Sequence, residues 1–207
     1  MNYENIPNEL RSLKQWGLFQ KIWQPERNKY TKIPHNALDG GAGKSNDPST
    51  WVDFKTALEA LKTYQMDGLA FFFANGYVGL DIDHIGDELD KFRSGDYQEN
   101  TVSQAITMTK SYMEVSISGS GIHAIFKGKI PGTRRRKGNV EMYDSGRFFA
   151  LTGNTIGQYQ KEVNVVTTDV MKLMYHKYFG EDNVVTINNH NPIKPNDLDV
   201  DKVIKRA

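Results

Sequence analysis

The amino-acid sequence predicts an α+β domain resting on a largely antiparallel sheet. Two observations carry that reading: strand-like runs follow one another across short turns, and helical periodicity occurs in only a few places. Such a sheet packs one face on its core and can leave the other open.

Residues 16–23 (WGLFQKIW) read as a strand, 25–28 as a turn and 29–34 as the returning strand. Residues 35–48 form a loop rich in Gly, Asn and Asp. Ser49 or Thr50 can cap a helix over 51–64, where Phe54, Leu58 and Leu61 recur at helical spacing. Residues 68–73 (GLAFFF) look like a buried strand, and Asn75-Gly76 is a hairpin turn signal leading into a strand over 77–84. An acidic, polar loop follows over 86–96, then a helix over 102–111. Strands at 114–118 and 122–127 flank a Gly-Ser-Gly turn, and 129–138 is a basic loop. Residues 140–143 and 147–151 read as a further hairpin, and 169–179 as a helix turning Val170, Leu173 and Met174 inward. A catalytic domain over 1–180 is therefore expected, with 181–207, rich in Asn, Asp and Pro, as a linker or disordered tail.

Composition narrows the function classes. At 38% hydrophobic and 25% charged residues the chain is ordinary for a globular protein. No apolar run is long enough to span a membrane, and the N-terminus lacks a secretory layout, so a cytoplasmic setting without membrane partners is expected. The absence of cysteine excludes disulfides and thiolate metal sites. Any metal must be held by carboxylates, histidine or water, which favours Mg²⁺ or Mn²⁺. The net charge of +1 does not announce a nucleic-acid binder, so local clustering has to be read instead.

Alternation along 77–84 sends Val78, Leu80 and Ile82 to one face and Gly79, Asp81 and Asp83 to the other. Two carboxylates side by side repel unless cations neutralise them. A metal pair about 4 Å apart would do so, and would also clamp a triphosphate and an attacking hydroxyl. Asp-x-Asp alone is a common surface pattern, but here it lies in a strand pattern, GLDID, and Gly79 leaves room beside the acids for a ligand. In the second segment, 118–123 (SGSGIH), Ile122, Ala124 and Phe126 alternate inward, so His123 and Lys127 point to the other face. Ser118, Ser120 and the glycines between and after them can offer hydroxyls and N–H groups to phosphate oxygens, and His123 can donate to the same group. In the third, 139–144 (NVEMYD), Val140 and Met142 point inward and Glu141 and Tyr143 outward. Glu141 is the preferred third acid, with Asp144 as the alternative.

Other residues cluster around these. Lys127, Lys129, Arg134, Arg135, Arg136 and Lys137 form the strongest positive run, placed to meet nucleic acid or triphosphate. Arg147 can reach a nucleotide phosphate, and Tyr143 or Phe149 can stack on a base or pack on a helix. Residues 40–45 (GGAGKS) fail the P-loop spacing because Leu38 stands at the leading glycine position, but Lys44 and Lys32 can still meet a phosphate. His84, by alternation, is expected inward and structural.

Asp81-Ile-Asp83, then Ser118…Ser120-x-x-His123, then Glu141 between apolar residues resemble, in this order, the three motifs of the archaeo-eukaryotic primase superfamily. The stretch 141–153 (EMYDSGRFFALTG) and the arrangement of Trp16, Lys32-Ile-Pro34, Asp47-Pro and Trp51 are similar to primase-polymerase domains of phage and plasmid replication proteins. The resemblance covers roughly residues 10–180. It implies an RRM-like catalytic core with an added N-terminal α/β unit. Asp81, Asp83 and the third acid would bind catalytic metals, and the Ser-x-x-His segment would contact the phosphates of an incoming nucleoside triphosphate on a single-stranded DNA template. It also implies a helicase domain behind residue 207. The zinc module of many cellular members has no counterpart in a chain without cysteine. Two rival functions use the same residues: a non-catalytic DNA-binding replication module, and a metal-dependent nuclease.

Overall fold

The computed structural model describes residues 1–180, and the tail expected over 181–207 lies outside the described residues. Two antiparallel sheets carry the fold, joined by β1 (Trp16–Gln24), β2 (Lys29–His35), β3 (Gly68–Phe72), β4 (Tyr77–Ile82), β5 (Met113–Val115), β6 (Ile122–Lys127), β7 (Arg136–Lys137), β8 (Val140–Tyr143) and β9 (Phe148–Leu151). Sheet one has the order β2-β1-β3-β9 and sheet two β5-β6-β4-β8-β7. The helices are α1 (Asn8–Arg11), α2 (Phe54–Thr63), α3 (Gly86–Arg93), α4 (Thr101–Thr109) and α5 (Thr168–Phe179). None of the described helices is long and apolar enough to cross a membrane.

Sheet two is the RRM-like core. The chain runs from β4 through α3 and α4 to the β5–β6 hairpin, and returns to the far side of β4 as β8. One face of this sheet is apolar by alternation: Val78, Leu80 and Ile82, Ile122, Ala124 and Phe126, and Val140 and Met142 are all buried in one cluster. Leu89 of α3, Val102 and Ala105 of α4, and Met171 and Met174 of α5 cover it. Each Val, Leu, Ile, Phe or Met side chain in the cluster contributes about 1.5–3 kcal/mol of hydrophobic stabilisation. The inward sets expected for β4, β6 and β8 are the ones observed. Asn100 ties the covering helices together: its oxygen accepts from the N–H groups of Val102 and Ser103 at the start of α4, and its amide donates to Glu88 O of α3 (2.7 Å).

Several expectations are corrected. The polar segment after β4 is a helix, α3, not a loop. Asp87 and Glu88 at its start and Lys91 and Arg93 at its end suit the helix dipole, but Leu89 is its only buried residue, too little for a visible period. Helix α2 is capped by Asp53, whose carboxylate accepts from Thr56 N (2.9 Å), rather than by Ser49 or Thr50. Helix α5 buries Met174 as expected and packs Val170, partly buried, against the same core, but Leu173 is only half-buried and Met171, Tyr175 and Phe179 complete the buried face; the Tyr175 hydroxyl accepts from Arg134 N (2.8 Å). Neither Asn75-Gly76 nor the turn after β8 closes a hairpin. Both carry the chain from one sheet to the other, and β9 pairs with β3 (Leu69↔Leu151, Phe71↔Phe149). β3 is buried along its whole length, so its apolar run needs a second apolar strand beside it.

The face of sheet two opposite the helices is not uncovered. Phe73, just after β3, and Phe149 of β9 roof it at Gly79, the position expected to leave ligand space. A Cβ there would come within 2.3 Å of Phe73 and 2.6 Å of Phe149. Gly79→Ala is therefore expected to lower the unfolding free energy by about 1–3 kcal/mol through overpacking, read from urea denaturation.

Candidate active site

Register assembles the site. Asp81 of β4 lies directly opposite His123 of β6 on one side and Glu141 of β8 on the other. His123 lies opposite Glu114 of β5, and Glu141 opposite Arg136 of β7. One polar residue from each strand thus forms a straight row across the sheet: Glu114, His123, Asp81, Glu141, Arg136. Directly opposed side chains share a face, so all five stand on the face away from the helices.

The row is graded from dry to wet. Glu114 is fully buried, and its carboxylate accepts from Tyr112 OH (2.6 Å), Thr152 N (3.0 Å) and Gly153 N (2.8 Å). Burial, with Glu114 beside it, pushes the Tyr112 hydroxyl well above the usual phenol range, so it remains a donor. His123 is 2% exposed and stacks on the Phe149 ring (4.4 Å, 16°). Its Nδ1 lies 3.5 Å from Glu114 Oε1 and its Nε2 3.7 Å from Asp81 Oδ1. Glu141, at the wet end, accepts from Tyr143 OH (2.8 Å) and pairs with Arg136 Nε (3.0 Å).

Asp81 is the strained member. Burial is the main cause that raises its pKa, and the charges of Asp83 and Glu141 add to it, while His123 and Lys32 oppose. Its Oδ1 is buried without a hydrogen-bond partner. Lys32, on β2, is open to water. Surrounding protein depresses its pKa, and Asp81 and Asp83 partly restore it.

The other expected residues fall into place around the row. Asp83 lies one residue beyond β4, fixed by Asp83 N donating to Asn139 O (2.9 Å) and by the Asn139 amide donating to Asp83 O (2.6 Å). Its carboxylate oxygen would meet a Cβ on Gly121 at 3.1 Å. Ser118 and Ser120 line up with Ser116 as a hydroxyl chain (2.9 and 3.3 Å), turned by Gly119 at φ 80°. Of the two possible third acids, Glu141 faces Asp81 directly, whereas Asp144 lies past the end of β8 and pairs with Arg135 (3.7 Å). Lys44 pairs with Asp47 (4.0 Å), in a loop that Ser45 Oγ ties to Gly146 O (3.0 Å). Arg147 lies over the Tyr143 ring (5.2 Å). Lys127 lies roughly 13 Å along β6 from His123 at strand rise, and pairs with Glu9 (3.0 Å). The basic run is partly engaged within the fold: Arg134 donates to Phe179 O (2.7 Å), Arg135 meets Gly132 O, and Arg136 meets Glu141, while Lys129 and Lys137 are exposed.

Two side chains differ from expectation. Phe149 is 4% exposed beneath the His123 ring, so it is not free to stack on a base. His84 is exposed in a left-handed turn (φ 55°) because β4 ends at Ile82 and alternation stops there. Glu114 was not singled out from sequence. Its signal was one acidic residue between Met113 and Val115 in a three-residue strand.

No three His, Asp or Glu side chains among the described residues are drawn together into a metal cage. The donor chemistry nevertheless suits a hard cation: three carboxylates, one with a buried, unpartnered oxygen and a pKa raised chiefly by burial.

No protein-family profile matches the chain. Among curated proteins it is similar to the DNA primase-polymerase of Nitratiruptor phage NrS-1, with 34% identity over 140 residues, 64% of this chain and 18% of the relative. The chain thus spans under a fifth of that relative's length. The resemblance to phage-type primase-polymerase domains read from the motif order is upheld by this match.

A carboxylate with a raised pKa in the folded state favours folding when protonated, and that contribution is lost as pH rises through the folded value. Once ionised, Asp81 therefore opposes folding. In EDTA-containing buffer, Asp81→Asn is expected to unfold at a higher urea midpoint than the parent at pH 7. The advantage should shrink as the pH is lowered and the parent carboxyl takes up its proton.

Proposed function

We propose that this chain is a nucleotidyl-transferring domain of a primase or primase-polymerase, joining an incoming nucleotide to a 3′-hydroxyl on a single-stranded DNA template in the replication of a mobile element. The observation that carries the proposal is the cross-strand row in which Asp81 stands between His123 and Glu141, with Asp83 beside it. The named relative, a DNA primase-polymerase, supports it.

In this reading Asp81, Asp83 and Glu141 hold Mg²⁺ or Mn²⁺. When bound, such ions acidify the attacking hydroxyl and neutralise charge on the leaving pyrophosphate. The chain's own residues do the rest. The Asp81 carboxylate keeps one buried oxygen without a hydrogen-bond partner, free to meet a cation. Glu114 braces the Nδ1 side of His123, and Phe149 fixes the plane of its ring, so the Nε2 edge is presented toward Asp81 and the phosphates beside it. Ser118, Ser120 and their loop amides hold phosphate oxygens. Lys44 and Arg147 supply positive charge around the triphosphate, Lys32 meets a template phosphate, and Lys129 and Lys137, with Arg134, Arg135 and Arg136 beside them, face the same strand.

The test is incorporation of labelled nucleotides on a primed single-stranded template with Mn²⁺ or Mg²⁺. Asp81→Ala and Asp83→Ala are expected to lower incorporation more than ~100-fold, beyond what loss of outer-shell partners costs a metal site, with circular dichroism unchanged. Absence of incorporation by the parent, with template binding intact, would instead mark a docking module. Metal-dependent strand cleavage abolished by the same substitutions would mark a nuclease.

A further inference from the structure

We propose that the outer part of the β1–β2 hairpin is a binding surface for single-stranded DNA, with Trp23 and Tyr30 stacking on bases and Lys21 and Lys32 holding the phosphates. That the strand held there serves as template rests on the proposed function above.

Pairing places Lys21 opposite Lys32 and Trp23 opposite Tyr30. Residues two apart on a strand share a face, so all four stand on one side of the hairpin in two adjacent rows, ~7 Å apart. The aromatic row is open: Trp23 is 45% and Tyr30 62% exposed, and their rings meet edge to face at 5.0 Å. Exposed aromatic pairs can simply lock a hairpin end. That explanation does not reach the second row. Two lysines directly opposite each other repel, where a strand pair built for stability alone favours opposite charges. Arg27 and Lys29 add exposed positive charge at the turn, against one acid there, Glu26. None of Lys21, Arg27, Lys29 and Lys32 takes part in an ion pair among the described residues. Asp67 accepts only from the Lys21 backbone N–H (2.6 Å) on this strand.

Positive charge alternating with open π-faces is the chemistry that recognises a single strand, whose bases are unstacked and whose phosphates repeat. A duplex hides its base faces and would gain only the charge. Lys32 is also within electrostatic range of Asp81 and Asp83. A strand held on the hairpin would therefore lead toward the acids.

The experiment measures fluorescence anisotropy of labelled oligo-dT and of a labelled duplex, over a range of salt, with the whole chain. Trp23→Ala and Tyr30→Ala are each expected to weaken oligo-dT binding roughly 10-fold, as loss of a stacking partner does, and to leave duplex binding unchanged. Trp23→Phe, which keeps a ring, should retain most of the affinity and guards against a folding artefact. Lys21→Ala should lower the salt slope by about 1. Undiminished oligo-dT binding by both alanine variants, or an equal loss on the duplex, overturns the proposal. The two readings separate cleanly. Nucleotide incorporation by the parent with unweakened alanine variants sinks the hairpin surface alone. Hairpin-dependent binding without incorporation sinks the catalytic reading and leaves the surface standing.

Discussion

The register of β4 between β6 and β8 is the constraint on which the molecule depends. The core demands that Val78, Leu80 and Ile82 face the helices, together with the matching residues of its neighbours. Once that demand is met, period-two alternation leaves no freedom in where Asp81, His123 and Glu141 go. A slip of one residue in any strand would bury carboxylates under α4 and expose the core. Fold stability and site assembly are thus one condition: the hydrophobic face locks the register, and the register builds the polar row.

That row also shows where stability is given up. Glu114 is buried and receives three donors. Asp81, two strands away, is partly exposed, but one of its oxygens is buried with no hydrogen-bond partner and two like charges lie close by. A chain selected only to fold would have no reason to place it there. Perturbed carboxylates of this kind mark functional positions more often than structural ones. The contrast between the two acids in one row is one of support: three donors hold Glu114, and Asp81 keeps an oxygen with none.

How much of this was legible in the sequence depends on how local the cause was. Alternation is local, and it placed Asp81, His123 and Glu141 on one face correctly. Pairing partners are not local. Nothing near Phe149 states that β9 leaves β8 and joins β3, so its stacking under His123 was out of reach, as was the roof over Gly79. Glu114 lies in a strand of only three residues, too short for a pattern. Helix α3 shows no period in the sequence because it has one buried leucine, while the charges at its ends suit the helix dipole. The opposed lysines of the first hairpin became visible only when its register was known.

The two crossings between the sheets have a mechanical consequence. β3 passes into β4, and β8 into β9, through links of only four residues each, 73–76 and 144–147. Both straps flank the floor of the candidate site, and Ser45 stitches the second to the neighbouring loop. Tethered twice at such short range, floor and roof have little freedom to hinge apart or clamp down. A ligand entering the candidate site would then meet an opening of fixed width rather than a closing lid.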